Sequence, residues 1–297
     1  MQKTSLWACM LLLMPLMWNQ TIAAPTPDSP EVTALQKAPS KRDSVICKEA
    51  TRPLISAHRG GRFIAGYPEN ALETFEFVSR QAPVIIECDV NMSSDSILFL
   101  MHDQSLDRTT TGSGLVWETN WAAISALYLQ DDYGIITRYH PPSLQEVLSW
   151  AANDNQLTLD VKRGVPIEKV VETVRNMGAI NYASVITYNY EDALKAYLTD
   201  PRIRLSVTIR NQEELQRYLD GPFTRSNLMA FTGLTERSPQ FYKSLKDAGI
   251  TIIIGTIGNL DKSATAKGDR VYRKLYKAGA DVLATDRPIA VFKAFED

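Results

Sequence analysis

VIIECDV at Val84–Val90 is followed, after NMSSDS, by ILFLM at Ile97–Met101. Both runs are apolar and rich in branched side chains, as strands buried in a sheet are. The intervening residues are too few for a crossover helix, so the pair reads as an antiparallel hairpin. That reading decides the fold. Seven further runs of this kind follow or precede it: PLISA (53–57), LTLDV (157–161), ASVIT (183–187), IRLSVTI (203–209), NLMAFTG (227–233), TIIIGT (251–256) and DVLAT (281–285). With the second arm of the hairpin set aside, eight parallel strands remain. Amphipathic stretches alternate with them, among them NALETFEFVSRQ, SLQEVLSWAAND, IEKVVETVRNMG, NYEDALKAYLT, NQEELQRYLDG and SPQFYKSLKDAG. Eight β/α units in residues 51–297 fit a TIM (β/α)8 barrel of about 250 residues, with a short β-hairpin extension after the second strand. A doubly wound open sheet is the competing architecture.

A barrel carries its chemistry at the C-terminal ends of its strands, and the polar residues gather there. PLISA runs into His58 and Arg59, the hairpin returns to His102 and Asp103, LTLDV leads to Lys162, and DVLAT runs into Asp286. In IECDV, residues two apart project to one face, so Glu87 and Asp89 point together with Ile85, while Cys88 and Ile86 point the other way. Two adjacent carboxylates inside a barrel repel unless a cation or protons compensate. An all-oxygen set suits one hard divalent cation, Ca2+ or Mg2+, with Asp160 as third ligand. The bland alternative is an ion-paired rim with Arg59 or Lys162.

The chain has three histidines. His58 and His102 fall at strand ends beside the acids, where an imidazole can act as acid or base. His140, in TRYHPPSLQE, reads as loop surface.

Composition limits the partners. The chain is 44% hydrophobic and 22% charged, with a net charge of -2, so nothing global recruits nucleic acid or an anionic membrane. Residues 1–24 read as a signal peptide: Lys3, the apolar LWACMLLLMPLMW interrupted by Pro15, then TIAA for cleavage near Ala23 or Ala24. Residues 25–50 read as a flexible linker. The expectation is an exported protein, periplasmic or extracellular, without a stable membrane anchor. Cys88 is expected as a buried free thiol rather than a disulfide partner of Cys47.

AHRGG with GYPEN and TF, then IECDV, LMHDQSLDRTTTGSG, PSLQEVL, LDVKRG and ATDRP, occur in this order between Leu54 and Pro288. The ordered set resembles the glycerophosphodiester phosphodiesterase family. The resemblance implies a TIM barrel, one divalent metal, and hydrolysis of glycerophosphodiesters to sn-glycerol 3-phosphate and an alcohol. It implies His58 and His102 as the acid/base pair, Glu87 and Asp89 as metal ligands, and Arg59 and Lys162 as phosphate contacts. It also implies attack by the substrate's own glycerol 2-hydroxyl, through a cyclic phosphate that water then opens. Two positions depart from the family pattern. LDVK stands where EIK is common, so Asp160 is one methylene shorter than glutamate. PENA stands for PENT, leaving Glu69 and Asn70 as substrate-binding candidates that orient the site. Rival functions are a phospholipase D-like enzyme acting on lysophospholipid or sphingomyelin, with Trp117 and Trp121 as an apolar rim, and an exported phosphodiester-binding protein without catalysis.

Overall fold

The computed structural model describes residues 52–296; the expected signal peptide, the linker and Cys47 lie outside them. Nine strands form one sheet: β1 (Leu54–Ala57), β2 (Ile85–Met92), β3 (Leu98–Leu100), β4 (Gln156–Val161), β5 (Ala183–Thr187), β6 (Arg204–Thr208), β7 (Leu228–Phe231), β8 (Thr251–Gly255) and β9 (Val282–Thr285). All neighbours but one are parallel, and β1 pairs with both β9 and β2, so eight strands close into a TIM barrel. β3 lies antiparallel on the end of β2, pairing Val90 with Leu100 and Met92 with Leu98. The hairpin expected from the sequence is therefore present.

Among the described residues ten α-helices accompany the strands: α1 (Leu72–Gln81), α2 (Trp121–Ser125), α3 (Leu144–Ala151), α4 (Ile167–Asn176), α5 (Tyr190–Thr199), α6 (Gln212–Leu219), α7 (Pro239–Asp247), α8 (Asn259–Lys267), α9 (Arg270–Ala278) and α10 (Pro288–Lys293). Side chains start several of them. Ser143 and Glu146 form a reciprocal capping box on α3, and Asn189, Asn211 and Ser238 cap α5, α6 and α7. The stretches named from the sequence correspond to α1 and α3–α7; α8, which buries only Asp261 and Ala264, has no apolar stripe to announce it. None of the helices among the described residues is long and apolar enough to cross a membrane.

The period of two assigns each strand two jobs. Outward residues such as Ile86, Cys88, Leu157, Leu159 and Ile252 join the core beneath the helices. Inward residues Ser56, Ile85, Thr158, Ser206, Met229 and Ile253 line a cavity of about 150 Å³ inside the barrel. Cys88 is a buried free thiol. Between β3 and α3, a second small core gathers Phe99, Met101, Leu106, Val116 and Ile124. Trp121 stacks obliquely on Phe99 there, 5.6 Å between centroids, while Trp117 is half exposed. The two tryptophans thus do not form one exposed rim. Asp131 ties this insertion to the loop after β1, accepting hydrogen bonds from the backbone N–H of Gly66, Tyr133 and Ile135.

The turn that follows β1 depends on Gly60. Its φ is +83°, and a Cβ there would sit 2.4 Å from Phe75 Cδ1 on α1. Backbone strain and overpacking then add, so Gly60→Ala is expected to cost about 3 kcal/mol of unfolding free energy. Urea denaturation checks this; a loss below about 1 kcal/mol would mean that Phe75 moves aside freely.

Candidate active site

β1 ends at Ala57, and the next residues bend into a short 3-10 turn in which Arg59 takes a left-handed φ of 54°. That conformation is held from two sides. The Arg59 N–H donates to Glu87 Oε2 at 2.8 Å, and the Asn70 N–H donates to Arg59 O at 3.0 Å. Strained backbone persists where its surroundings over-determine it, and here the strain turns His58 and Arg59 toward the acids of β2.

Strand register brings those acids together. Asp89 is the direct partner of Asp160 in the parallel β2–β4 pair, and each of Glu87, Asp89 and Asp160 offers a carboxylate oxygen within 4.8 Å of the others. Their charges are handled unequally. Burial, then the neighbouring Asp89 carboxylate, push the Glu87 carboxyl up to about 8. Burial would also raise Asp89, but Lys162 and Arg59, with the Asn70 amide, outweigh it and hold that carboxyl below its usual range. Lys162 Nζ lies 2.6 Å from both Asp89 Oδ1 and Asp160 Oδ2. Tyr188 donates its hydroxyl to Asp160 Oδ2 at 2.9 Å, whereas Asp160 Oδ1 is buried with no hydrogen-bond partner among the described residues. An orphaned carboxylate oxygen beside two more carboxylates is a demand for a hard cation, and the three residues fit one.

Each expected histidine is anchored through Nδ1. His58 Nδ1 is 2.7 Å from Asp286 Oδ1, and His102 Nδ1 is 2.7 Å from Asp103 Oδ1. Such bonds fix the ring and leave Nε2 to exchange a proton. Burial disfavours charge on His58, but the Asp286 bond and the Glu87 carboxylate prevail and raise its pKa. Asp103 is clamped by Arg108 at 2.6 Å and 3.0 Å, which holds its carboxyl far below the usual range, with His102 adding to the effect. The charge of His102 is felt at Asp89 and that of His58 at Glu87, so the two rings address neighbouring acids.

Glu69 and Asn70 stand behind this layer. Asn70 donates Nδ2 to Asp89 Oδ2 at 2.7 Å and accepts the Asp89 N–H at 2.9 Å. Glu69 is buried and spends both oxygens on arginines: Arg59 at 2.9 Å, Arg108 at 2.8 Å and 3.0 Å, and Arg62 at 3.2 Å. Arg59 Nε also approaches Asp89 Oδ2 to 3.2 Å. His140 lies apart on the surface, bonded through Nδ1 to Leu127 O. Tyr188 and Arg108 were not anticipated. Tyr188 carries a signal, since it directly follows the strand run ASVIT, at the C-terminal end where a barrel carries its chemistry; Arg108 sits in an irregular loop and carries none.

The acid cluster makes stability depend on pH. An unfolded glutamate titrates near 4.5, whereas Glu87 keeps its proton to about 8. Between those values the native state binds the extra proton, so the cation-free protein loses stability as pH rises through that window. His58, raised above 6.5, acts with the same sign as pH passes its folded-state value, and Asp89, depressed below 3.8, acts only at lower pH. Chelated protein should therefore melt at a lower temperature near pH 8 than near pH 5, and Ca2+ should restore more at the higher pH. Identical melting temperatures at both would remove the repulsion from the account.

Residues 58–222 match the model of the Glycerophosphoryl diester phosphodiesterase family. A glycerophosphoryl diester phosphodiesterase of Parabacteroides distasonis, known from its crystal structure, is 33% identical, with 83% of this chain and 87% of that chain covered and a TM-score of 0.78. A glycerophosphodiester phosphodiesterase of Bacillus altitudinis is 24% identical over 259 residues, 82% of this chain and 98% of its own length. A phosphodiesterase of Oleispira antarctica, solved with the product sn-glycerol-3-phosphate, is 22% identical at a TM-score of 0.65, with 83% and 98% covered. At that identity it shares the fold.

Proposed function

This chain belongs to the glycerophosphoryl diester phosphodiesterase family, and on that premise we propose that it hydrolyses glycerophosphodiesters to sn-glycerol 3-phosphate and an alcohol. One observation carries the reading: three converging carboxylates, one with an unpartnered oxygen, lie beside two imidazoles whose Nδ1 atoms are tied to carboxylates. Glu87, Asp89 and Asp160 would hold a divalent cation, which supplies positive charge to the phosphate oxygens when bound.

The protein's own groups do the rest. Lys162 has three donors and spends two on Asp89 and Asp160, so one remains for a phosphate oxygen. Arg59, fixed by Glu69, keeps part of its guanidinium fork for the same purpose. One imidazole takes the proton from the attacking hydroxyl, and the other gives a proton to the departing alcohol oxygen. Their carboxylate partners keep both rings in position through the step and stabilise the ring that becomes charged.

Incubation with glycerophosphocholine, glycerophosphoethanolamine and glycerophosphoinositol, with Ca2+ or Mg2+ varied, should release sn-glycerol 3-phosphate. Binding without release, or cleavage confined to sphingomyelin or lysophospholipid, would overturn the assignment. Export belongs to the same proposal and rests on the apolar run before TIAA; a secreted form that still begins at Met1 would contradict it.

A further inference from the structure

Behind Asp286 lies a second buried carboxylate that belongs to no part of the reaction described above. Asp261 sits in the first turn of α8 and is only 3% exposed. It faces the end of β9 and is fully occupied there. Asp286 donates its backbone N–H to Asp261 Oδ2 at 2.9 Å. Thr285 donates its hydroxyl to both carboxylate oxygens, at 2.9 Å and 3.0 Å, and Tyr272 of α9 donates its hydroxyl to Oδ1 at 2.9 Å. The Thr285 oxygen in turn accepts the Arg287 N–H at 2.9 Å. Asp261 itself is held by its own N–H, donated to Thr256 O at 2.8 Å.

We infer that Asp261 is a positioning residue for His58, acting through Asp286. Its carboxylate fixes the backbone where β9 ends, and that backbone sets the angle at which the Asp286 side chain meets His58 Nδ1 at 2.7 Å. The arrangement fits this role better than a merely stabilising one. Two of the three donors gathered by Asp261 belong to residues 285 and 286, and the third, Tyr272, is a fully buried side chain that braces it from outside the barrel. Burying a carboxylate is costly unless every lone pair finds a donor. A neutral apolar group could fill the same space without that cost, but it could not hold an N–H in place. Because the path runs from a helix outside the barrel through backbone to a side chain and then to a ring, a small error at Asp261 becomes a misdirected imidazole rather than a lost contact with substrate.

The inference rests on the assignment of His58 to acid/base chemistry, and its test separates the two. Asp261→Asn is close in shape but turns one acceptor into a donor, opposing either the Asp286 N–H or the hydroxyls. It should lower kcat on glycerophosphocholine about 10- to 100-fold, with KM changed less than about twofold. In a cycle with Asp286→Asn, the double variant should be no slower than Asp286→Asn alone, because the second change removes the route by which the first acts. Losses that multiply would overturn the inference, as would an unchanged kcat in Asp261→Asn.

Should Asp261→Asn be recovered poorly folded, Thr285→Val and Thr285→Ser make the same test: the serine variant keeps the hydroxyl and should keep kcat, and the valine variant should lose it. Equal kcat in the two would sink the idea. A readout without turnover comes from nitrogen-15 histidine spectra of the resting protein, simplified by its three histidines. Asp261→Asn should shift the His58 ring nitrogens and leave those of His102 and His140 in place; an unmoved His58 signal contradicts the inference even if wild-type hydrolysis proves absent.

Discussion

Replacing either His58 or His102 with alanine is expected to lower kcat by at least about a hundredfold while the protein still folds and still binds its cation. Proton transfer by a positioned side chain contributes about 10²- to 10⁴-fold, and the two rings hold separate anchors, Asp286 for His58 and Asp103 for His102. Neither anchor can stand in for the other ring, so each loss should be felt alone. The losses should also combine to less than their product, since one proton must be taken and one given in the same reaction. Cation binding, followed by the rise in melting temperature on adding Ca2+, should survive, because the oxygens that would hold it come from β2 and β4. Turnover of either variant within tenfold of wild type would remove that histidine from the mechanism.

Stripping the divalent cation should abolish hydrolysis, and Ca2+ or Mg2+ should restore it. Asp160 Oδ1 is left without a donor in a buried site, and the Glu87 carboxyl is pushed up to about 8 by burial and by Asp89. Lys162 and Arg59 compensate Asp89, but among the described residues no lysine or arginine forms an ion pair with Glu87. A Glu87→Gln variant separates structure from catalysis. It mimics the protonated side chain, so the chelated variant should keep its stability as pH rises toward about 8, where chelated wild type loses it. The same variant should bind Ca2+ at least about tenfold more weakly. Chelated wild type that still turns over at full rate, with metal content verified by elemental analysis, would reduce the three acids to a structural cluster.

Much of this site was readable from residue order. The strand period put Glu87 and Asp89 on one face with Ile85, and Cys88 on the other, where it now joins the core. Its limits are equally physical. Lys162, expected to meet phosphate, also gives two of its donors to Asp89 and Asp160, an engagement the motif alone does not reveal. Glu69, the candidate for orienting the site, gathers three arginines that no motif announces. Such sharing depends on where loops cross in space, and loop sequences from Arg59 to Arg108 carry no period from which a crossing can be read.

What the sequence determined by itself is local: the strands, the hairpin that reduces nine runs to eight parallel strands, and the face each strand residue takes. Those follow from a period of two and from a linker too short to hold a helix. The tertiary structure alone decided the pairings at long range. Closure of the ring lays β9 against β1, which sets Asp286 beside a histidine 228 residues away, and the β2–β4 register sets Asp160 level with Asp89. Register is a property of two strands together, fixed by how a whole barrel packs, and neither strand's sequence holds it alone.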